Sequence, residues 1–156
     1  AEGGSAGGLL MGAVANLAPQ RFRAIHAAVP FVDALTTILD PSLPLTVPEW
    51  EEWGDPLHHE DVYRYMKSYT PYENIAAVNY PAILATTSLN DTRVFFVEPA
   101  KWVARLRETV TSDPVSRPIL FKIEMVAGHG GSSGRYDAWK QCAWELAFLM
   151  DQVGVG

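Results

Sequence analysis

Gly3-Gly4-Ser5-Ala6-Gly7 decides how the rest of the chain is read, because it fits the pattern Gly-x-Ser-x-Gly. In that pattern a serine stands on a sharp turn from a strand into a helix, and small neighbours relieve the crowding around it. Ser5 is therefore the candidate nucleophile. The backbone N–H of Ala6 is the candidate oxyanion donor, a group worth roughly 3 kcal/mol of transition-state stabilisation when correctly placed. Five residues with two fixed glycines also occur in plain Gly/Ser loops, so the motif needs support from the remainder of the chain. A buried strand normally precedes it, and residues 1 and 2 leave little room for one. The chain is accordingly expected to be a piece of a longer protein.

Downstream of the motif, apolar and polar stretches alternate between helical and extended character. Leu9 to Leu17 is helix-compatible and ends before Pro19. Ala24 to Phe31 is short, apolar and bounded by proline, as buried parallel strands tend to be. Asp33 to Trp53 reads as a Pro-rich connection, and Glu60 to Tyr69 as a helix stopped by Pro71. Pro81 to Thr87 reads as a second strand, Pro99 to Val110 as an amphipathic helix with proline in its first turn, and Ile119 to Glu124 as a third strand. Tyr136 to Val153 closes the chain as a helix with Trp139, Ala143, Leu146, Ala147 and Met150 along one face. No internal repeat, heptad or low-complexity tract interrupts this order. The expected class is α/β: parallel strands alternating with helices that cover both sides of the sheet. Three strands make half of such a sheet, which is incomplete on its own.

A serine hydroxyl needs a histidine base, itself held in one tautomer by a carboxylate. Asp91 follows the second expected strand in Leu89-Asn90-Asp91-Thr92-Arg93, and His129 follows the third in Gly128-His129-Gly130-Gly131. Both lie just past the carboxyl ends of strands, where open α/β sheets place their ligands. Ser5, Asp91, His129 is also the chain order of the α/β-hydrolase fold. Taken singly, Asp91 fits an Asn-Asp turn and His129 a glycine-rich loop; their positions after successive strands raise both. His26 sits inside an apolar strand and reads as a satisfied core residue, while His58 and His59 read as solvated. No metal-ligand spacing emerges and no cofactor is expected.

Composition sets the limits. With 156 residues, 48% of them hydrophobic, the chain can bury a core. A net charge of -6 gives no basic footprint for nucleic acid and suits a cationic ligand. The single cysteine, Cys142, cannot form an internal disulfide, so a reducing, cytoplasmic location is expected. No apolar run approaches the roughly 18 residues of a membrane span, and no leader pattern is seen at the start. Neither a membrane partner nor secretion is expected.

Several long blocks resemble one family. They are Gly-Gly-Ser-Ala-Gly-Gly-Leu-Leu-Met-Gly at 3 to 12, Val-Pro-Phe-Val-Asp at 29 to 33, Pro-Glu-Trp-Glu-Glu-Trp-Gly at 48 to 54, Met-Lys-Ser-Tyr-Thr-Pro-Tyr at 66 to 72, Glu-Pro-Ala-Lys-Trp-Val-Ala at 98 to 104 and Gly-His-Gly-Gly-Ser-Ser-Gly-Arg at 128 to 135. The chain is similar over nearly its whole length to the prolyl oligopeptidase family, and most to those members that cut after basic residues. The resemblance implies residues 1–156 as the C-terminal portion of a peptidase catalytic domain, with Ser5, Asp91 and His129 as the triad. It implies Glu49 and Glu51 as the acidic pair that holds the arginine or lysine before the scissile bond of a short peptide. The segment from 33 to 61 holds eight of the 18 acidic residues and no lysine or arginine, a concentration of negative potential that fits this role or a solvated acidic loop. Trp50 and Trp53 are expected to anchor that connection to the core. In the family a β-propeller and the first half of the hydrolase sheet, with a tyrosine as second oxyanion donor, lie upstream. These would be the chain's partners, and with an oligomer also open, this chain alone is expected to be inactive. The stretch from Val110 to Pro118 looks longer than its family counterpart.

Overall fold

The structure, a computed structural model, describes residues 1–155. Its element order is β1 (Glu2–Gly4), α1 (Ala6–Leu17), β2 (Ala24–Ala28), α2 (Ala34–Ile38), α3 (Thr46–Trp53), α4 (Glu60–Tyr69), β3 (Ala82–Ser88), α5 (Val97–Thr109), β4 (Ile119–Glu124) and α6 (Arg135–Val153), with 3₁₀ turns at Pro19–Arg21 and Tyr72–Asn74. The sheet order is β1-β2-β3-β4 and every pairing is parallel. Three strands were expected. The fourth is β1, whose Glu2, Gly3 and Gly4 stand opposite His26, Ala27 and Ala28. Three residues with two glycines carry no period-2 signal, so this strand is specified by its neighbour rather than by its own pattern.

Alternation along the inner strands sorts the layers. Ile25 and Ala27 of β2 and Ile83 and Ala85 of β3 point to one side, where they pack with Met11 and Ala15 of α1 and Trp102, Val103 and Leu106 of α5. Ala24, Ala82 and Leu84 point to the other side and meet Phe148 of α6. A second cluster joins Leu9 and Ala13 of α1 to Leu35 and Ile38 of α2 and Met66 of α4. Burying side chains on both faces is why β2 and β3 are largely apolar, with His26, Thr86, Thr87 and Ser88 as buried polar exceptions.

Two expectations need correction. The Pro-rich connection from Asp33 to Trp53 carries two helices that its composition did not signal: it folds into α2 and α3, the latter with Pro48 in its first turn and ending at Gly54 with φ +94°. Trp50 and Trp53 pack against the second cluster as expected. The apolar face of α6 is the second case. Trp139, Leu146 and Met150 are exposed, and the helix is anchored instead through Phe148 and, in part, Leu149. Periodicity located the stripe, but which side of a helix meets the sheet is a tertiary choice. His26 is buried as expected, its ring nitrogens within 3.0 Å of Glu2 Oε1 and 2.9 Å of Thr86 Oγ1. His58 and His59 are exposed. Among the described residues, no helix is long and apolar enough to cross a membrane.

Candidate active site

The carboxyl ends of the four strands lie side by side, and the candidate residues stand just beyond three of them: Ser5 after β1, Asp91 after β3 and His129 after β4, with Asp91 and His129 hydrogen-bonded to each other and Ser5 lining a separate cavity. After β1 the chain turns at Ser5, whose φ of +55° is unusual for a residue with a Cβ. The conformation is held on three sides. Ser5 N–H donates to Ala28 O at 2.9 Å, and Ser5 O accepts from Gly8 N–H at 2.9 Å and Phe31 N–H at 3.1 Å. Strain of this kind, of order 1–3 kcal/mol, persists only where the surroundings over-determine it. Gly3 is required here because a Cβ on it would stand 2.4 Å from Gly7 O, and Gly8 because its Cβ would stand 2.5 Å from Pro30 Cα. The helix α1 starts directly at Ala6, whose N–H is one of the unpaired donors at a helix start. Val29, just after β2, is the other non-glycine residue with positive φ, at +41°.

Asp91 and His129 are brought together by stitching between their loops. Leu89 N–H donates to Glu124 O at 2.8 Å and Asn90 N–H to Ala127 O at 3.3 Å, so the turn after β3 runs alongside the loop after β4. That loop closes on itself through Gly131 N–H to Gly128 O at 3.0 Å, with Gly131 at φ +76°. The result is a pair: His129 Nδ1 lies 2.7 Å from Asp91 Oδ2. The other carboxylate oxygen accepts from Arg93 N–H at 2.9 Å and Val94 N–H at 3.0 Å. Asp91 is 2% exposed. A buried carboxylate with both oxygens engaged cannot rotate freely, so it fixes the ring through Nδ1–H and leaves Nε2 as the basic nitrogen.

Ser5 and Ala6 share a cavity of about 390 Å³ with Phe31, Leu45, Glu49, Glu52, Trp53, Arg93 and Val94. Glu49 accepts from Trp53 Nε1–H at 3.2 Å, which holds its side chain against that wall. Glu51 is exposed and is not among the residues lining this cavity, whereas Glu52 is. On a helix, neighbours three apart share a face, so Glu49 and Glu52 point together while Glu51 diverges. Sequence reasoning missed Glu52 and Arg93. The helical spacing of Glu49 and Glu52 would have signalled the first had α3 carried a clear helical pattern. Arg93 lies two residues after Asp91 with no pattern of its own. A larger concavity, about 590 Å³, lies between β4 and α6 and includes none of Ser5, Asp91 or His129.

This arrangement has known counterparts. The family model described as "Prolyl oligopeptidase family" matches residues 1–156. The chain is 55% identical over 155 residues to Protease 2 of Moraxella lacunata, covering 99% of this chain and 22% of that protein. It is 50% identical over 155 residues to dipeptidyl aminopeptidase BI of Pseudoxanthomonas mexicana, covering 99% of this chain and 21% of that protein. Oligopeptidase B from Leishmania major superposes with a TM-score of 0.94 at 48% identity, over 98% of this chain and 21% of the other. Oligopeptidase B from Trypanosoma brucei with covalently bound antipain gives a TM-score of 0.94 at 44% identity, over 99% of this chain and 21% of the other. The chain thus spans about a fifth of the length of these relatives, and what it shares with them is an α/β-hydrolase-type segment. A serine on a strained strand-to-helix turn, an Asp-His pair at the ends of the next strands and agreement along the full sequence lead to one conclusion: the chain belongs to the prolyl oligopeptidase family.

Proposed function

We propose that this chain supplies the nucleophile, base and orienting acid of a serine peptidase that hydrolyses short peptides after arginine or lysine. The observation that carries the reading is the conjunction of the Asp91–His129 pair with a strained Ser5 whose cavity is walled by carboxylates. In the proposed reaction Ser5 Oγ attacks the scissile carbonyl carbon as His129 Nε2 takes its proton. The carbonyl oxygen becomes an oxyanion and accepts from Ala6 N–H. Collapse of the tetrahedral intermediate breaks the C–N bond. The amine leaves with the proton returned by His129, and an acyl-Ser5 ester remains. Water then attacks this ester with His129 again as base, releasing the acid and free Ser5. Asp91 orients the imidazole and stabilises its cationic form without taking the proton.

The acidic wall accounts for the basic preference. A guanidinium or ammonium entering the cavity is drawn by the carboxylates of α3, and a guanidinium can pair with one through two hydrogen bonds. Glu49 stands for this role on both the resemblance and the cavity geometry, Glu51 on the resemblance, and Glu52 on the geometry. Beyond this chain, the remainder of the longer polypeptide supplies a second oxyanion donor and restricts which substrates enter.

Replacing Ser5 by Ala in that longer polypeptide abolishes hydrolysis of an Arg-amide peptide and fluorophosphonate labelling. Retention of either at more than a few per cent of the parent level would refute the assignment of Ser5. A short acyl ester hydrolysed in preference to the Arg-amide would instead assign the chain to esterase chemistry.

A further inference from the structure

Glu98 is 2% exposed, on the first turn of α5, and its hydrogen bonds among the described residues go to Asp33 and Thr37 rather than to Ser5, Asp91 or His129. Its two oxygens face α2: Oε2 accepts from Asp33 N–H at 3.0 Å, and Oε1 lies 2.5 Å from Thr37 Oγ1. One turn further along α5, Lys101 Nζ stands 2.5 Å from Asp33 Oδ2, and Asp33 Oδ1 accepts from Thr36 Oγ1–H at 2.9 Å. The same α2 segment holds α3, because Thr37 O accepts from Thr46 Oγ1–H at 2.9 Å and Ile38 O accepts from Trp50 Nε1–H at 3.1 Å. The links form an unbroken line. The chain runs from Asp91 through Arg93 and Val94 into α5, from Glu98 and Lys101 across to α2, and from α2 to the helix that carries Glu49 and Glu52.

We propose that Glu98 is a positioning residue that sets the acidic wall on α3 in register with the Ser5–Asp91–His129 edge, and so governs the preference for basic substrates. This rests on the reading of the cavity as the site for an arginine or lysine side chain. Chemistry at the cluster makes its grip dependent on pH. Two buried carboxyl groups, Asp33 and Glu98, face one lysine, whose ammonium also lies 4.6 Å from the Tyr72 ring centre, with the Arg105 guanidinium 4.8 Å from the same ring. Burial pushes the Glu98 carboxyl up to about 7, against the opposing hydrogen bonds from Thr37 and Asp33. Contact with Asp33 raises Lys101, which stays charged. Near neutrality Glu98 is therefore part ionised. The neutral acid keeps both ties to α2, since Oε2 still accepts from Asp33 N–H and the acid O–H can donate to Thr37 Oγ1. Ionisation strengthens those two bonds but leaves a charge in a site cut off from water, which is the larger effect and to which the Asp33 charge adds, so the packing of α5 on α2 is held less firmly.

The experiment compares the parent polypeptide with Glu98→Gln and Glu98→Ala, using an Arg-amide peptide and an ester with an uncharged side chain, from pH 6 to pH 8.5. The readout is the ratio of the two kcat/KM values. Both substrates use the same triad, so the pH dependence of the shared chemistry cancels in the ratio. In the parent the ratio falls about threefold through pH 7 as Glu98 ionises and the clamp loosens. In Glu98→Ala it is lower by about tenfold at pH 6, through KM for the Arg substrate, with kcat for the ester within about twofold. Glu98→Gln stands in for the neutral acid, so it keeps most of the ratio and shows no fall with pH. A parent-like fall in Glu98→Gln overturns the proposal. So does an equal loss on both substrates in Glu98→Ala, which marks a general structural role. If Glu98→Ala does not fold, the pH profile of Glu98→Gln decides alone. A parent enzyme without preference for the Arg substrate would instead refute the basic-pocket reading on which the proposal stands.

Discussion

Replacing Asp91 by Asn separates the orientation of His129 from the architecture around it. Asp91 Oδ1 accepts two backbone N–H groups, from Arg93 at 2.9 Å and Val94 at 3.0 Å, while Oδ2 faces His129 Nδ1 at 2.7 Å. An asparagine carbonyl oxygen in the Oδ1 place keeps both backbone bonds. Its NH₂ then replaces Oδ2 and donates towards Nδ1. The ring must answer by accepting at Nδ1, which moves its proton to Nε2, the nitrogen that should receive the proton of Ser5. A loss of order 10⁴ in kcat is expected, equivalent to about 5.5 kcal/mol of transition-state stabilisation at about 1.4 kcal/mol per factor of ten. Thermal stability should change by less than about 1 kcal/mol, since both backbone donors stay paired. Asp91→Ala, by contrast, strands two buried N–H groups and loses a further 2–4 kcal/mol or so of stability. The assay is the turnover of an Arg-amide peptide by the longer polypeptide, with melting temperatures measured alongside. An Asn variant within tenfold of the parent kcat, or one as destabilised as the Ala variant, would overturn this account of the pair.

Glu49→Gln and Glu52→Gln should each raise KM for Arg-amide peptides by about tenfold, at nearly constant kcat, as expected when an ionic partner of the bound side chain is removed. Placing Glu51→Gln in the same series decides between the resemblance, which implies Glu51, and the cavity, which includes Glu52. The Glu98 carboxyl also gives a stability signature. Its folded value of about 7 lies above the unfolded 4.5, so the folded state binds the proton more tightly. The associated stability is complete below pH 4.5 and is lost as pH rises through 7, a change of roughly 3 kcal/mol from this group. Hydrogen exchange over 33–46 should therefore speed up between pH 5 and pH 8, beyond its intrinsic pH dependence, in the parent but not in Glu98→Gln. Equal slopes in both would remove Glu98 as the cause.

The class of fold and the candidate trio can be read from the residues themselves. Ala24 to Phe31 and Pro81 to Thr87 announce strands because inner strands of a sheet covered on both faces need short, largely apolar runs, and that demand is local, while Ile119 to Glu124, with Lys122 and Glu124, is the partly exposed edge strand. Ser5, Asp91 and His129 stand out as candidates because each follows a strand end, and a parallel sheet brings its strand ends to one edge. Orientation, by contrast, was settled by packing. The first strand exists because β2 offers it partners, not because Glu2, Gly3 and Gly4 favour extension. The exposed stripe on α6 has the right period and the wrong side. Glu52, rather than Glu51, lines the Ser5 cavity because Asp33 to Trp53 coils into two helices tied to α5 through Glu98. A Pro-rich connection with no assigned period says nothing of which side chains share a face, whereas the helix groups residues three apart.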